Sequence, residues 1–170
     1  MFSLRGIAKT GRQQFSTKVA YAHCDIPCGI YDPHLAQISA LTVVRMNQLI
    51  EGLDAAGSTA EEQAAHSAAI SRYVTVKEEH AELCKRELRI LWGDYFKPDH
   101  LQQVPDLHDQ FWNAMKLASA ARQKNDLDAA QKLLASVQSI AEAFWKTKGA
   151  DTNRQPSRQG AAGGELVYPS

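Results

Sequence analysis

Apolar residues recur at three- and four-residue intervals through most of this chain, and four stretches carry the rhythm far enough to predict helices. The first covers residues 33–51, with Leu35, Ile38, Leu41 or Thr42, Met46, Leu49 and Leu53 on one stripe and Gly52 at the stop. Asp32-Pro33 before it reads as an N-cap followed by proline at the first helical position. The second is long, residues 59–92, and its stripe runs through Ala69, Tyr73, Val76, His80, Leu83 and Ile90. Ser58 with Glu61, and Thr59 with Glu62, stand at capping-box spacing at its start. The third, residues 107–124, is led by Asp106 and turns Leu107, Phe111, Ala114 or Met115, and Ala118 inward. The fourth, residues 127–147, is led by Asp126 and presents Leu127, Ala130, Leu133, Leu134, Val137, Ile140 and Phe144. Residues 93–105 are an irregular or short-helical connection. No segment alternates with period two for long enough to argue for a sheet. Four amphipathic helices with short connections predict an all-α fold, an up-down four-helix bundle. Residues 149–170, rich in Gly, Ala, Gln, Ser and Pro, read as a disordered tail.

A chain of 170 residues with 44% hydrophobic and 22% charged residues is an ordinary soluble domain. No apolar run nears the roughly 18 residues that suggest a membrane span. The formal net charge is zero, so no bulk field points to nucleic acid or to a membrane. The charge is nevertheless unevenly placed. Residues 1–22 hold Arg5, Lys9, Arg12 and Lys18 and no acid, leaving 15 basic against 19 acidic residues in the remainder, a net of −4. A basic, acid-free, serine-bearing start is the composition of a mitochondrial or plastid transit peptide, and it lacks the apolar core of a secretory signal. A short cytoplasmic propeptide or a basic arm has the same composition. The expected organisation is a cleaved leader over 1–22, a domain over 23–148 and the tail, in the cytoplasm or an organelle.

Candidate chemistry gathers in residues 23–31, HCDIPCGIY. Three cysteines do not make a disulfide framework. Cys24 and Cys28 cluster, whereas Cys84 lies far away on the second helix. Two thiolates and the His23 imidazole within six residues can reach one ion, and a square-planar nitrogen and sulfur set suits nickel or copper. Zinc would want a fourth side chain for a closed tetrahedral site, and none lies nearby. Backbone nitrogen can complete the set if the chain is cut after Ala22. The freed amine of His23, the amide nitrogen of Cys24 and the Cys24 thiolate then form fused chelate rings, Cys28 closes the plane, and the His23 imidazole reaches an axial position. Thiolate and amidate donors stabilise the higher oxidation state, which gives the site a redox character. Pro27 fixes its own φ and Gly29 tolerates conformations closed to other residues, so the segment can fold back on itself. On spacing alone, a Cys24–Cys28 disulfide or two adventitious thiols account for the same residues.

The run His23–Pro33, HCDIPCGIYDP, closely resembles the metal hook of nickel superoxide dismutases, HCD-x-P-C-G-x-Y-D-P, with every fixed position present. Further matches follow in order: KEEHAEL over Lys77–Leu83, LWGDYFKP over Leu91–Pro98, PDLH over Pro105–His108 and, more weakly, FWKTK over Phe144–Lys148. The resemblance covers roughly residues 23–148. It implies a four-helix bundle, a homohexameric assembly, one nickel ion per chain, superoxide as substrate, and a protease that removes the leader. It also implies roles. His23, Cys24 and Cys28 hold the metal, Asp25 supports the hook, and Tyr31 stands over the open face to position or gate the small anion. Tyr95 borders the substrate approach, with Asp94 and Lys97 near it. Two positions depart from the pattern. Family members often have Glu where this chain has Ser39 and Arg where it has His80, the pair understood to hold the hook histidine. One expectation is that His80 replaces that brace; the other is that it is an ordinary packed histidine. Two further readings compete with the enzyme: a nickel or copper carrier without turnover, and a structural bundle closed by a Cys24–Cys28 disulfide.

Overall fold

The computed structural model describes residues 29–170, which form four α-helices followed by a two-stranded hairpin. Helix α1 spans His34–Glu51, α2 Ala60–Ile90, α3 Leu107–Gln123 and α4 Leu127–Thr147. Each packs on its sequence neighbours and α4 closes back on α1, so α1 and α3 sit diagonally across an up-down bundle. Among the described residues, no helix is long and apolar enough to cross a membrane.

Local chemistry sets the helix starts. At α2, Thr59 and Glu62 form the capping box: the Thr59 hydroxyl accepts from the Glu62 N–H at 3.2 Å, and the Glu62 carboxylate accepts from the Thr59 N–H at 3.0 Å. Those bonds hold the Glu62 carboxyl below the usual range. Asp126 caps α4 through the Ala129 N–H at 2.9 Å. Asp32 accepts from the His34 N–H at 2.6 Å, so α1 begins one residue later than expected, with Pro33 at the N-cap position. Asp106 does not cap α3; its carboxylate accepts from the Gln110 side chain instead.

The apolar stripes of α3 and α4 face the core as the pattern predicts, with Phe111, Leu133, Val137, Ile140 and Phe144 fully buried. The stripes of α1 and α2 need correction. Leu35 is exposed, while α1 buries Ala36, Gln37, Ser39, Ala40, Val43, Val44 and Asn47, because α2, α4 and the hairpin cover it on several sides. On α2 the core-facing residues are Lys77, Ala81, Cys84 and Leu88, followed by Leu91. That face lies about a quarter turn from the expected stripe, whose members are only half-buried. The cause is Lys77. Its stem lies in the core and its ammonium group leaves the bundle at the α3–α4 corner, donating to the Lys124 carbonyl and the Asn125 side chain, each at 2.7 Å.

A second correction concerns residues 149–170. They are a docked β-hairpin, with β1 (Thr152–Pro156) antiparallel to β2 (Glu165–Pro169) and Val167 opposite Arg154. Leu166 and Val167 are buried against the helices. The small residues that suggested disorder make the turn: Gly163 and Gly164 both adopt positive φ, and the Ser157 hydroxyl donates to the Gly163 carbonyl at 2.6 Å.

Candidate active site

The end of α2 positions the aromatic residues of the motif. Past Ile90 the helix widens into a π-helical turn, Leu91–Tyr95, closed by the Phe96 N–H on the Leu91 carbonyl at 3.0 Å. Such turns insert one residue into the helical ladder and re-aim the side chains that follow. Leu91 and Phe96 are buried, Asp94 is exposed, and Tyr95 stands half-buried at the rim. Lys97, two residues further along, is exposed, and its N–H donates to the His100 Nδ1 at 3.2 Å.

Tyr95 is the hub of an aromatic cluster. Its ring lies 4.4 Å from Phe144, 4.9 Å from Phe96, 5.5 Å from His100 and 5.5 Å from Tyr31, centroid to centroid. The last contact brings together two tyrosines 64 positions apart in sequence, both expected at the substrate approach. Tyr31 is only three residues beyond Cys28. The polar end of Tyr95 is fixed from α4. Its hydroxyl lies 2.7 Å from the Thr147 hydroxyl, and Thr147 also donates to the Phe144 carbonyl at 2.7 Å. A threonine has one proton to give, so Tyr95 donates and Thr147 accepts. Lys148 stands 5.4 Å from the Tyr95 ring centroid and 5.3 Å from that of Phe144, within cation–π range. Thr147 and Lys148 were not among the expected site residues. Their signal was the FWKTK match, whose link to Tyr95 only the packing of α4 reveals.

Ser39 and His80 each engage their own helix. Buried Ser39 donates to the Leu35 carbonyl at 2.7 Å, and the His80 Nδ1 lies 2.9 Å from the Val76 carbonyl. A carbonyl only accepts, so that contact places the proton on Nδ1 and leaves Nε2 as an acceptor. His23, Cys24, Asp25 and Cys28 lie outside the described residues. Among the described residues, no group of three His, Cys, Asp or Glu side chains is placed to hold a metal. Cys84 is fully buried, and burial pushes its thiol up to about 12, so it is a protonated packing residue. Cys24 and Cys28 are therefore the cysteines left to supply thiolate, and with the His23 nitrogen donors they make a set that fits nickel.

Comparison with known proteins bears on the whole domain. The family model for nickel-containing superoxide dismutase matches residues 18–148. The chain belongs to the nickel-containing superoxide dismutase family. The nickel superoxide dismutase of Streptomyces coelicolor is 37% identical over 137 residues, covering 80% of this chain and 96% of the relative. That of Streptomyces seoulensis is 39% identical over 137 residues, with the same coverage. A solved nickel superoxide dismutase with ligation corresponding to the oxidised state superposes with a TM-score of 0.65 at 38% identity, covering 75% of this chain and all of that one. The native structure of another gives 0.61 at 36% identity, covering 74% of this chain and 99% of that one. The chain is thus an oxidoreductase whose cofactor is nickel and whose reaction is the disproportionation of superoxide to oxygen and hydrogen peroxide. The family match ends at Lys148, so the hairpin lies beyond it.

Proposed function

We propose that the nickel of this superoxide dismutase is held by His23, Cys24 and Cys28, in a chain that begins at His23 once a protease has cut after Ala22. The observation that carries the reading is the hook sequence joined to the tyrosine pair. The fixed positions of HCDIPCGIYDP run directly into Tyr31, and the Tyr31 ring rests against Tyr95. Cleavage matters because an internal histidine has a peptide nitrogen where an N-terminal one has a free amine. Bound there, nickel supplies the one-electron couple that oxidises one superoxide to oxygen and reduces a second, with two protons, to hydrogen peroxide.

The other residues bind, screen and orient. Tyr31 and Tyr95 wall the approach and admit a diatomic anion while excluding larger reductants. Asp25 supports the hook, and Asp94 lies at the rim. Lys97 and Lys148 place positive charge beside Tyr95, which favours the arrival of an anion. The Tyr95 proton is committed to Thr147, so Tyr95 acts as a wall and as an acceptor. The protons for peroxide come from water held at Tyr31 or from a protonated thiol. His80, with Nε2 free to accept, suits a brace for an imidazole N–H, whereas Ser39 has spent its proton on Leu35. The same reading includes assembly as a homohexamer and residence in the cytoplasm or, if the leader is a transit peptide, in an organelle.

The test compares superoxide consumption by two nickel-loaded chains, one starting at His23 and one carrying a single extra residue before it. Turnover should be fast in the first and at least about a hundredfold slower in the second. Equal rates would refute ligation by the His23 amine. One tightly bound nickel per native chain without turnover would support the carrier instead.

A further inference from the structure

The hairpin runs along one stripe of α1. His34, Gln37, Leu41, Arg45 and Gln48 follow at spacings of three and four, the period of a single helix face. Every one of them meets the hairpin segment. Arg45 and Gln48 donate to the Ala161 and Ala162 carbonyls at 3.4 and 3.3 Å, and Leu41 lies against Gly164. Gln37, fully buried, donates to the Val167 carbonyl at 3.1 Å and accepts from the Val167 N–H at 2.7 Å. Its side-chain amide therefore pairs with β2 as a third strand would. The Tyr168 ring lies 5.9 Å from His34, the first residue of α1, whose N–H is held by Asp32. The far side of the hairpin is fastened to α4, where Gln138 donates to the Glu165 carbonyl at 2.6 Å and Arg154 pairs with Glu142 at 2.7 Å.

We propose that this C-terminal hairpin is a strap that fixes the first two turns of α1 against α4 and thereby seats Tyr31 on Tyr95, with Gln37 as the positioning residue. The functional consequence, slower loss of nickel, rests on the reading of His23, Cys24 and Cys28 as ligands. Only Asp32 and Pro33 separate Tyr31 from His34, and Asp32 is bonded to the His34 N–H, so Tyr31 is tethered closely to the start of α1. Tyr95 does not move with it, because Phe144 and Thr147 hold it from α4. The strap joins α4, which anchors one tyrosine, to the helix start that follows the other.

Hydrogen exchange of the full-length, nickel-free chain tests the positional claim. Gln37→Met keeps the buried volume and removes both bonds to Val167. Exchange over residues 29–38 should quicken at least about tenfold, while α3 keeps its native rates. Nickel release from the loaded enzyme to a chelator should quicken several-fold. Gln37→Glu supplies a more discriminating readout. A neutral carboxyl both donates and accepts as the amide does, whereas a carboxylate only accepts. Slow exchange should return in that variant as pH falls, relative to the native chain at the same pH. If Gln37→Met unfolds the bundle, Tyr168→Ala, at the hairpin rim, gives the same comparison. The strap is refuted if the hairpin peptides exchange freely in these variants while residues 29–38 remain at native rates, or if the hairpin itself stays protected in Gln37→Met. Failure of the ligand assignment is separate: it would appear as unchanged nickel binding after Cys24→Ser or Cys28→Ser, and it leaves the nickel-free exchange result standing.

Discussion

Truncating Leu166 to alanine should destabilise the protein by about 2–3 kcal/mol. Leu166 is fully buried in the main apolar core although it sits on β2, outside the helical bundle. Leucine-to-alanine changes at such positions cost about 2–5 kcal/mol, and the spread reflects how well the surroundings close over the hole. A two-stranded hairpin can shift inward more readily than a helix locked among three others, which puts Leu166 in the lower half. For a domain of this size that corresponds to a fall in Tm of roughly 4–12 °C. There is also a ceiling. Once the hairpin leaves α1 and α4, further truncation on it removes nothing, so Leu166→Ala combined with Val167→Ala should cost less than the two single losses added. Leu133→Ala, equally buried but on α4, has no such escape and should cost about 2–5 kcal/mol. Urea unfolding followed by far-ultraviolet circular dichroism, at one protein concentration so that assembly does not shift the midpoint, gives all four numbers. A Leu166→Ala chain within about 0.5 kcal/mol of native, the range of ordinary surface substitutions, would show that the hairpin contributes no packing and would sink the reasoning.

Thr147→Val removes the acceptor of the Tyr95 hydroxyl. Stability should fall by only about 0.5–1.5 kcal/mol, since Tyr95 is half-buried and water can replace the bond. Turnover should drop several-fold with nickel content unchanged, and metal analysis beside the rate assay would expose loss of the ion as a different cause. Lys148→Glu reverses a charge beside Tyr95 and should lower kcat/KM about three- to tenfold at low salt. The deficit should fade above roughly 0.15 M salt, and one that ignores ionic strength would refute steering. Lys77→Met tests a buried charge by its pH dependence. Burial lowers the Lys77 pKa below its ordinary 10.5, so the folded state releases its proton before the unfolded state does. Native stability relative to the methionine variant should therefore rise with pH in the range just below 10.5 and level off above it. A flat difference would mean that the ammonium group is effectively solvated, and a falling one that its bonds to Lys124 and Asn125 outweigh its burial.

How far the sequence disclosed the molecule depends on what each signal measured. The helices α3 and α4 were legible with their inward faces because their cores are Leu, Val, Ile, Phe and Ala, residues whose hydrophobicity and burial agree. Helix α2 was legible in extent but not in orientation. A lysine counts as polar in any periodic reading, yet here four methylenes lie in the core and only the ammonium group reaches the α3–α4 corner. The hairpin was hidden for a related reason. Glycine, serine and proline mark a disordered tail and a tight turn equally well, and the two differ only through what Leu166 and Val167 find to pack against. Part of that seat is Gln37, a polar residue on α1 that periodicity alone assigns to the surface, which bonds the Val167 backbone.

The active site divides along the same line. The hook and the motif around Tyr95 are local strings, so the resemblance could place Tyr31 and Tyr95 at one approach before any geometry was known. Thr147 and Lys148 reach Tyr95 through the packing of α4 against the end of α2, and nothing in the spacing of FWKTK encodes that distance. The π-helical turn makes the difference physical. A regular helix through Leu91–Tyr95 would carry the residues after it to other faces, whereas one inserted residue leaves Phe96 in the core and Tyr95 at the rim. With Tyr95 at the rim, its hydroxyl donates to Thr147 and its ring meets Tyr31. The resemblance places Tyr95 beside the approach; the bond to Thr147 commits its one proton to α4 and leaves its ring as a wall against Tyr31.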